Sequence, residues 1–370
     1  MSATNAKAQA QAQATRPVVA ITGLNGYIAI HVALKFLQEG YDVRGSVRSE
    51  TSVERIKANP VWKEWIDQGR VEVVVVPDLE GDLTALLKGV EIVVHLAAPV
   101  DMSLTSWEAY KNPTTNGVLN VLTQATKFDT IKAISLMSSI AAAFNPVPNN
   151  QQLGKVYTEA DWFPYDETFC ETLDNSNPFA SVLWYCAAKK YAEFAVEKWL
   201  KENEHDFSVA TLCPPMTYGP MLHLSSPDQF NGLNSSQPGW ISLIKGKDSP
   251  VPDPEATTYA DPRDVAEAFY QAAAQGKNER YLIASDSYTY QMFVDEFRKQ
   301  RPDLDAYFPL GNPGAPTPNE QGFWTIDTSK SVKQLGLKYH TLPESSKDTL
   351  EHYENIGVFK VAPGSWVKEN

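Results

Sequence analysis

Cysteine is scarce: Cys170, Cys186 and Cys213 are the only three in a chain of 370 residues. An odd number at these spacings fits neither a disulfide framework nor a metal-binding knuckle. A reducing compartment is the simplest setting, and a cytoplasmic location is the expectation. Long apolar runs are missing too. The longest, such as 73–77 and 183–188, fall far short of the roughly 18 residues that span a bilayer. Yet 43% of the residues are hydrophobic, enough for a substantial core. Positive charge is outweighed: 32 Lys and Arg stand against 45 Asp and Glu, for a formal net charge of −13. A surface so acidic disfavours nucleic acid and anionic membranes as partners. It still permits an anionic cofactor wherever a few cations dominate one pocket. There is no internal repeat, and the one low-complexity tract is the Ala/Gln-rich stretch 1–16. That stretch lacks the apolar segment of a secretory signal and has only Lys7 and Arg16 as cations, so it reads as a disordered leader.

Short β-branched runs alternate with longer helical patterns. Strands are expected at 18–21, 43–47, 71–76, 92–96, 132–137, 208–213 and 281–284, and helices at 26–38, about 106–127 and about 182–202. Continuous apolar strands between helices imply a parallel sheet covered on both faces. The expectation is therefore an α/β protein, a Rossmann-type doubly wound parallel sheet that binds ligands at the C-terminal ends of its strands. Residues 17–215, with about 256–285, would form this domain. Pro- and Gly-rich stretches at 214–254 and 311–318 mark a smaller C-terminal lobe, about 216–255 and 286–370, over the strand ends as the substrate-binding part.

The stretch TGLNGYIA follows the first strand and opens a helix. Gly23 permits a tight turn, Gly26 lets a pyrophosphate approach the backbone, and Ala29 lets the helix pack close to the sheet. The free N–H groups and dipole of the helix N-terminus then face the phosphates. Thr22, Gly23, Asn25, Gly26, Tyr27 and Ile28 are the candidate contacts. The second strand carries Asp42 at its start, the wrong end for a ribose. Its far end carries Ser46, Arg48 and then Arg55, which suit the 2′-phosphate of NADP(H), since a guanidinium grips phosphate bidentately. Small residues in VVHLAAPV at the end of the fourth strand, Ala97 and Ala98 followed by Pro99, would let the cofactor lie flat across the sheet edge.

Ser138 and Ser139 follow the fifth strand, and Tyr185 and Lys189 lie on one face of a helix, four residues apart. Reduction of a carbonyl adds hydride to carbon while oxygen gathers negative charge, so that oxygen needs a proton and hydrogen-bond donors. A tyrosine hydroxyl can donate, but its ordinary pKa is about 10. An ammonium one turn on stabilises the phenolate and can also hold a ribose. Cys186 and Cys213 read as buried fillers, His95 as a core histidine, and the aromatics of the C-terminal half, such as Tyr307, Phe308 and Tyr339, as core.

These motifs, in this order, resemble the extended or atypical short-chain dehydrogenase/reductase superfamily, whose Thr-Gly-x-x-Gly-(Phe/Tyr)-(Ile/Leu)-(Gly/Ala) loop TGLNGYIA matches position by position. Within it the chain resembles the dihydroflavonol-4-reductase-like branch, especially fungal-type methylglyoxal and carbonyl reductases, through VYTEADW (156–162), LNSS (233–236) and DTSKSVKQLGLKY (327–339). WYCAAK is also similar to cinnamoyl-CoA reductases, although Leu183 stands where they carry Asn. The resemblance spans 17 to about 356. It implies that Asp78 and Leu79 lie beside the adenine, and that the second serine, Ser139, is catalytic with Tyr185 and Lys189, Ser138 being the fallback. It further implies that Pro214 and Met216 border the nicotinamide, and that Asp261 or Asp264 begins a helix as a cap. Asn116 is a candidate for the proton-relaying Asn of many relatives, with its register off.

The function expected is NADPH-dependent reduction of a ketone or aldehyde to an alcohol, with Val100, Phe144 and Met216 lining the substrate pocket. The alternatives are an epimerase, dehydratase or steroid-type dehydrogenase on the same scaffold, or a non-catalytic NADP sensor. A sensor would have lost the tyrosine or the lysine. A small-molecule carbonyl substrate is the expected partner, with no metal, and the chain is expected to be a monomer or homodimer.

Overall fold

The structure, a computed structural model, describes residues 16–97, 102–147, 152–231, 233, 237–254 and 256–366. Its centre is a seven-stranded, wholly parallel sheet. The first five strands are β1 (Val18–Thr22), β2 (Asp42–Val47), β3 (Val71–Val75), β4 (Ile92–His95) and β5 (Ala133–Met137). After a short β6 (Val156–Tyr157) come β7 (Ser208–Cys213), β8 (Met216–Thr217), β9 (Thr258–Ala260) and β10 (Arg280–Leu282). The order across the sheet is β10-β7-β5-β4-β1-β2-β3. The chain leaves β1 toward β2 on one side and later returns to β4 on the other. This makes the β1/β4 boundary the topological switch point, where such sheets bind ligands.

The period-two alternation of side chains divides each strand between two cores. In β1, Val19 and Ile21 enter one apolar cluster and Ala20 the other, and Val94 and Val93 of β4 divide the same way. Helices α1 (Tyr27–Gln38), α2 (Glu50–Ala58), α3 (Trp107–Ala125), α4 (Ala180–Glu202) and α5 (Pro262–Ala274) cover the sheet. α1 packs on α5 over one face, and α3 packs on α4 over the other. Most of these helices begin on a side-chain cap: Ser49 for α2, Ser106 for α3 and Asp261 for α5. Asp261 thus has the capping role expected for it, whereas Asp264 bonds the Ser285 hydroxyl and the backbone and ring of His340.

A second body carries its own sheet, in which β9 lies between β8 and β11 (Asp286–Ser287). Its core is aromatic, with Tyr218, Trp240, Tyr259, Tyr288, Tyr290 and Phe293 all buried together. Helices α6 (Tyr290–Gln300) and α7 (Leu342–Asn355) pack against each other there. Not all of the chain after 286 stays with this body. Leu335 and Leu337 return to the α1/α5 side of the main core, and β12 (Thr325–Ile326) pairs with β6.

Candidate active site

The loop between β1 and α1 is shaped by its glycines. Gly23 has φ +73°, and a Cβ there would lie 3.1 Å from the Cβ of Ala97. Both conditions disfavour a side chain. Gly26 is the N-cap of α1 and offers no side-chain cap, and the first turn holds no acid. The amides at this helix start are therefore left for an external acceptor, and the dipole favours an anion. Around this turn the side chains are already engaged. The Thr22 hydroxyl is buried and accepts from the amides of Leu96 and Ala97 at 2.9 and 3.0 Å, so it braces β1 against β4 rather than facing a ligand. Tyr27 sends its hydroxyl to the Gly219 carbonyl at 3.1 Å, tying the loop to the second body. Ser46 is buried and accepts from the Gly23 amide at 3.3 Å. Asn25 is exposed and Ile28 half-buried at the mouth of the turn.

Arg48 and Arg55 are exposed beyond the end of β2. Of the chain's nine arginines, the other seven form ion pairs, and only these two form none among the described residues. Asp42, at the opposite end of the strand, is held by Arg70 at 3.0 Å. Asp78 is exposed and caps its own turn by accepting from the Glu80 amide at 2.9 Å. The Leu79 carbonyl accepts from Asn120 at 2.7 Å. Ala97 lies at the switch point against Gly23. Ala98, Pro99 and Val100 lie outside the described residues.

The catalytic candidates do meet. Tyr185 and Lys189 sit one turn apart on α4, and the Lys189 ammonium lies 5.7 Å from the centre of the Tyr185 ring. The Ser139 hydroxyl lies close enough to the Tyr185 phenol to act on it. Ser139 caps a short 3-10 turn, accepting from the Ala141 amide at 3.2 Å, and donates to the Pro214 carbonyl at 3.5 Å. Ser138 points the other way, and its hydroxyl donates to the buried carboxylate of Glu193. Burial pushes the Tyr185 phenol up to about 12, with the nearby Ser139 hydroxyl opposing. Burial pushes Lys189 down to about 8, with the Glu193 carboxylate opposing. The phenol is therefore protonated at neutral pH and the ammonium still charged. Lys189 is 4% exposed and has no hydrogen-bond partner among the described residues, which leaves its ammonium open to acceptors that a ligand supplies.

Pro214 is buried beside this group, and Met216 is half-buried where the two cores adjoin. Phe144 is buried against Trp324, ring centres 5.3 Å apart. Asn116 does not join the group, for its amide bonds Glu80 at 3.1 Å on the exposed side of α3. His95 is buried, with burial lowering its pKa to about 4, and its Nδ1 lies 3.1 Å from the Thr22 hydroxyl. Two residues escaped the sequence reading. Glu193 repeats the four-residue step of Tyr185 and Lys189 on the same helix, and Arg280, on β10, pairs with it at 2.7 Å.

Residues 19–284 match the model of the NAD dependent epimerase/dehydratase family. An uncharacterised oxidoreductase of Schizosaccharomyces pombe is 35% identical, covering 93% of this chain and 99% of that protein. The NADPH-dependent methylglyoxal reductase GRE2 of Saccharomyces cerevisiae is 29% identical, covering 90% and 96%. Among solved structures, Gre2 of Candida albicans in complex with NADPH superposes with a TM-score of 0.77 at 28% identity, covering 92% of this chain and 99% of that one.

Proposed function

The chain belongs to the NAD dependent epimerase/dehydratase family, and from that premise we propose that it reduces a ketone or aldehyde to an alcohol with NADPH. The observation that carries this reading is the grouping of the protonated Tyr185 phenol with Ser139, which acts on it, and with the Lys189 ammonium one turn away on the same helix. NADPH fits what surrounds it. The uncapped start of α1 and the Gly23–Ala97 contact form a turn that only backbone can line. The two arginines without ion pairs among the described residues are exposed just past the end of β2, the strand paired with β1, which suits a 2′-phosphate. Similarity to an NADPH-dependent reductase and to a structure holding NADPH points the same way.

In this reading the α1 amides and Gly26 hold the pyrophosphate, Arg48 and Arg55 the 2′-phosphate, Asp78 and Leu79 the adenine end, and Pro214 and Met216 the nicotinamide end. The bound cofactor supplies hydride to the carbonyl carbon. Ser139 orients the carbonyl oxygen, and Tyr185 gives it a proton as charge develops there. Lys189 stabilises the resulting phenolate and holds ribose hydroxyls. The second body forms the substrate lobe, with Phe144 and Met216 giving an apolar lining suited to a bulky carbonyl compound. Retention of both Tyr185 and Lys189 speaks against a non-catalytic sensor. Mixing the protein with NADPH and a panel of aldehydes and ketones tests the reading. NADPH absorbance should decay only when a carbonyl is present, and the absence of decay with every carbonyl in the panel would refute it.

A further inference from the structure

Behind Tyr185 and Lys189 lies a polar group that the chemistry above does not use. Glu193 is 6% exposed, one turn beyond Lys189 on α4. Its Oε2 accepts from Arg280 Nε at 2.7 Å, and its Oε1 accepts from the Ser138 hydroxyl and, at 3.5 Å, from the Cys213 thiol. Arg280 donates in turn to the carbonyls of Glu159 and Asp161 at 2.8 and 3.2 Å, and its guanidinium lies 4.0 Å from the Trp162 ring centre. One carboxylate thus joins the end of β5 to β7, β10 and α4. An ion pair so buried returns little net stability over apolar packing of the same shape, so its place beside the active site calls for another reason.

We propose that Glu193 is a positioning residue for the reductase chemistry: through Ser138 it fixes the turn that presents Ser139 to Tyr185, and through its charge it keeps the Lys189 ammonium protonated in a buried site. This inference rests on the reductase reading. Lys189 and Glu193 line one cavity together with His95, Ser138 and Thr114. The titratable groups acting on or lying beside Lys189 are Tyr185 and Glu193 of its own helix, Cys213 of β7 and His95 of β4. The thiol is pushed far up by burial, the imidazole is held neutral, and the phenol is protonated. Among them only Glu193, ion-paired with Arg280, brings a negative charge.

The test begins with Glu193→Gln in the cofactor-free protein. Carbon NMR of ε-labelled lysine, with the Lys189 signal assigned by Lys189→Arg, should show the ammonium losing its proton about one pH unit lower than in the unaltered protein. The alkaline limb of kcat for carbonyl reduction should move the same way, and Glu193→Asp should restore both. Ser138→Ala should lower kcat by about tenfold or more through misplacement of Ser139, with the lysine titration and NADPH affinity unmoved. A merely structural role would lower Tm and scale kcat at every pH without moving the limb. An unshifted titration in Glu193→Gln overturns the electrostatic half, and an unchanged kcat in Ser138→Ala overturns the positional half. If Glu193→Gln does not fold, Glu193→Gln with Arg280→Leu leaves neither charge buried alone, and a shift in the same direction is required of it. The titration needs no turnover, so it is read separately from the reductase reading, which fails if not one carbonyl in the panel makes the unaltered protein oxidise NADPH.

Discussion

A single oxygen atom separates Tyr185 from phenylalanine, and the proposed proton transfer depends on it. Tyr185→Phe should lower turnover by about 10²–10⁴-fold while leaving NADPH affinity unchanged, as followed by absorbance kinetics and fluorescence titration. Substantial turnover in that variant would place the proton donor elsewhere. Arg48 is a second case, since its guanidinium is exposed and free of ion pairs. Arg48→Ala should weaken NADPH by about 1.5 kcal/mol, the low end for a hydrogen bond to a charged group, and leave NADH nearly untouched. Equal losses for the two cofactors would remove Arg48 from the 2′-phosphate site. Residue chemistry of this kind was legible from order and spacing: Gly23 and Gly26, then Arg48, then Tyr185 with Lys189. The choice between Ser138 and Ser139 was not, because neighbouring residues of an extended chain point opposite ways and only the packed structure shows which side holds Tyr185. Nor could spacing pair Glu193 with Arg280, 87 positions away.

Elements repeat the lesson on a longer scale. The seven sheet strands could be read because each falls on a short run between longer helical patterns, and every one lies within a residue or two of its expected place. Strands of two residues, β6, β8, β11 and β12, carry no period at all and are defined by their partners. Helix α2 went unread because the stretch drew notice only for its cations, and its apolar face is just Val53 and Ile56. At the phosphate loop the sequence requirement is strict. Gly23→Ala places a side chain in a left-handed conformation, which costs about 1–2 kcal/mol, and presses it 3.1 Å from the Ala97 Cβ. Denaturant unfolding of the cofactor-free variant should show a loss of that size. NADPH affinity should fall as well, since the amides at the start of α1 would shift. A variant as stable as the parent would mean that the turn relaxes without strain.

For the whole molecule, the decisive feature is how the two bodies are joined, and histidine makes that junction sensitive to acid. His31 of α1 bonds the Pro220 carbonyl through Nε2 at 2.8 Å, and its neighbour Tyr27 lies edge-on to it and packs on His223, ring centres 5.2 Å apart. His352 of α7 lies close enough to act on both. Burial pushes His31 and His352 down to about 4 and His223 to about 3, and His95 in the main core falls to about 4 for the same reason. An unfolded imidazole takes its proton near pH 6.5. Between there and about pH 4 the unfolded chain binds more protons than the folded one, so stability is full above pH 6.5 and falls as pH falls. His340 works in the opposite direction. Its bond to Asp264 raises its pKa, so its contribution is constant below pH 6.5 and is lost only as pH rises through the folded value, which leaves the losses of the other four in acid unopposed. Each fully shifted group changes stability by about 1.4 kcal/mol per pH unit. His223 and His352 are only half-buried and count for less. The net loss between pH 7 and pH 5 should therefore be a few kcal/mol, visible as a Tm lower by several degrees. His31→Gln keeps a donor for the Pro220 carbonyl but cannot take the proton, so it should recover part of that loss at pH 5. A Tm that does not fall, or that falls equally in His31→Gln, would mean that the imidazoles between the bodies are not what acid attacks.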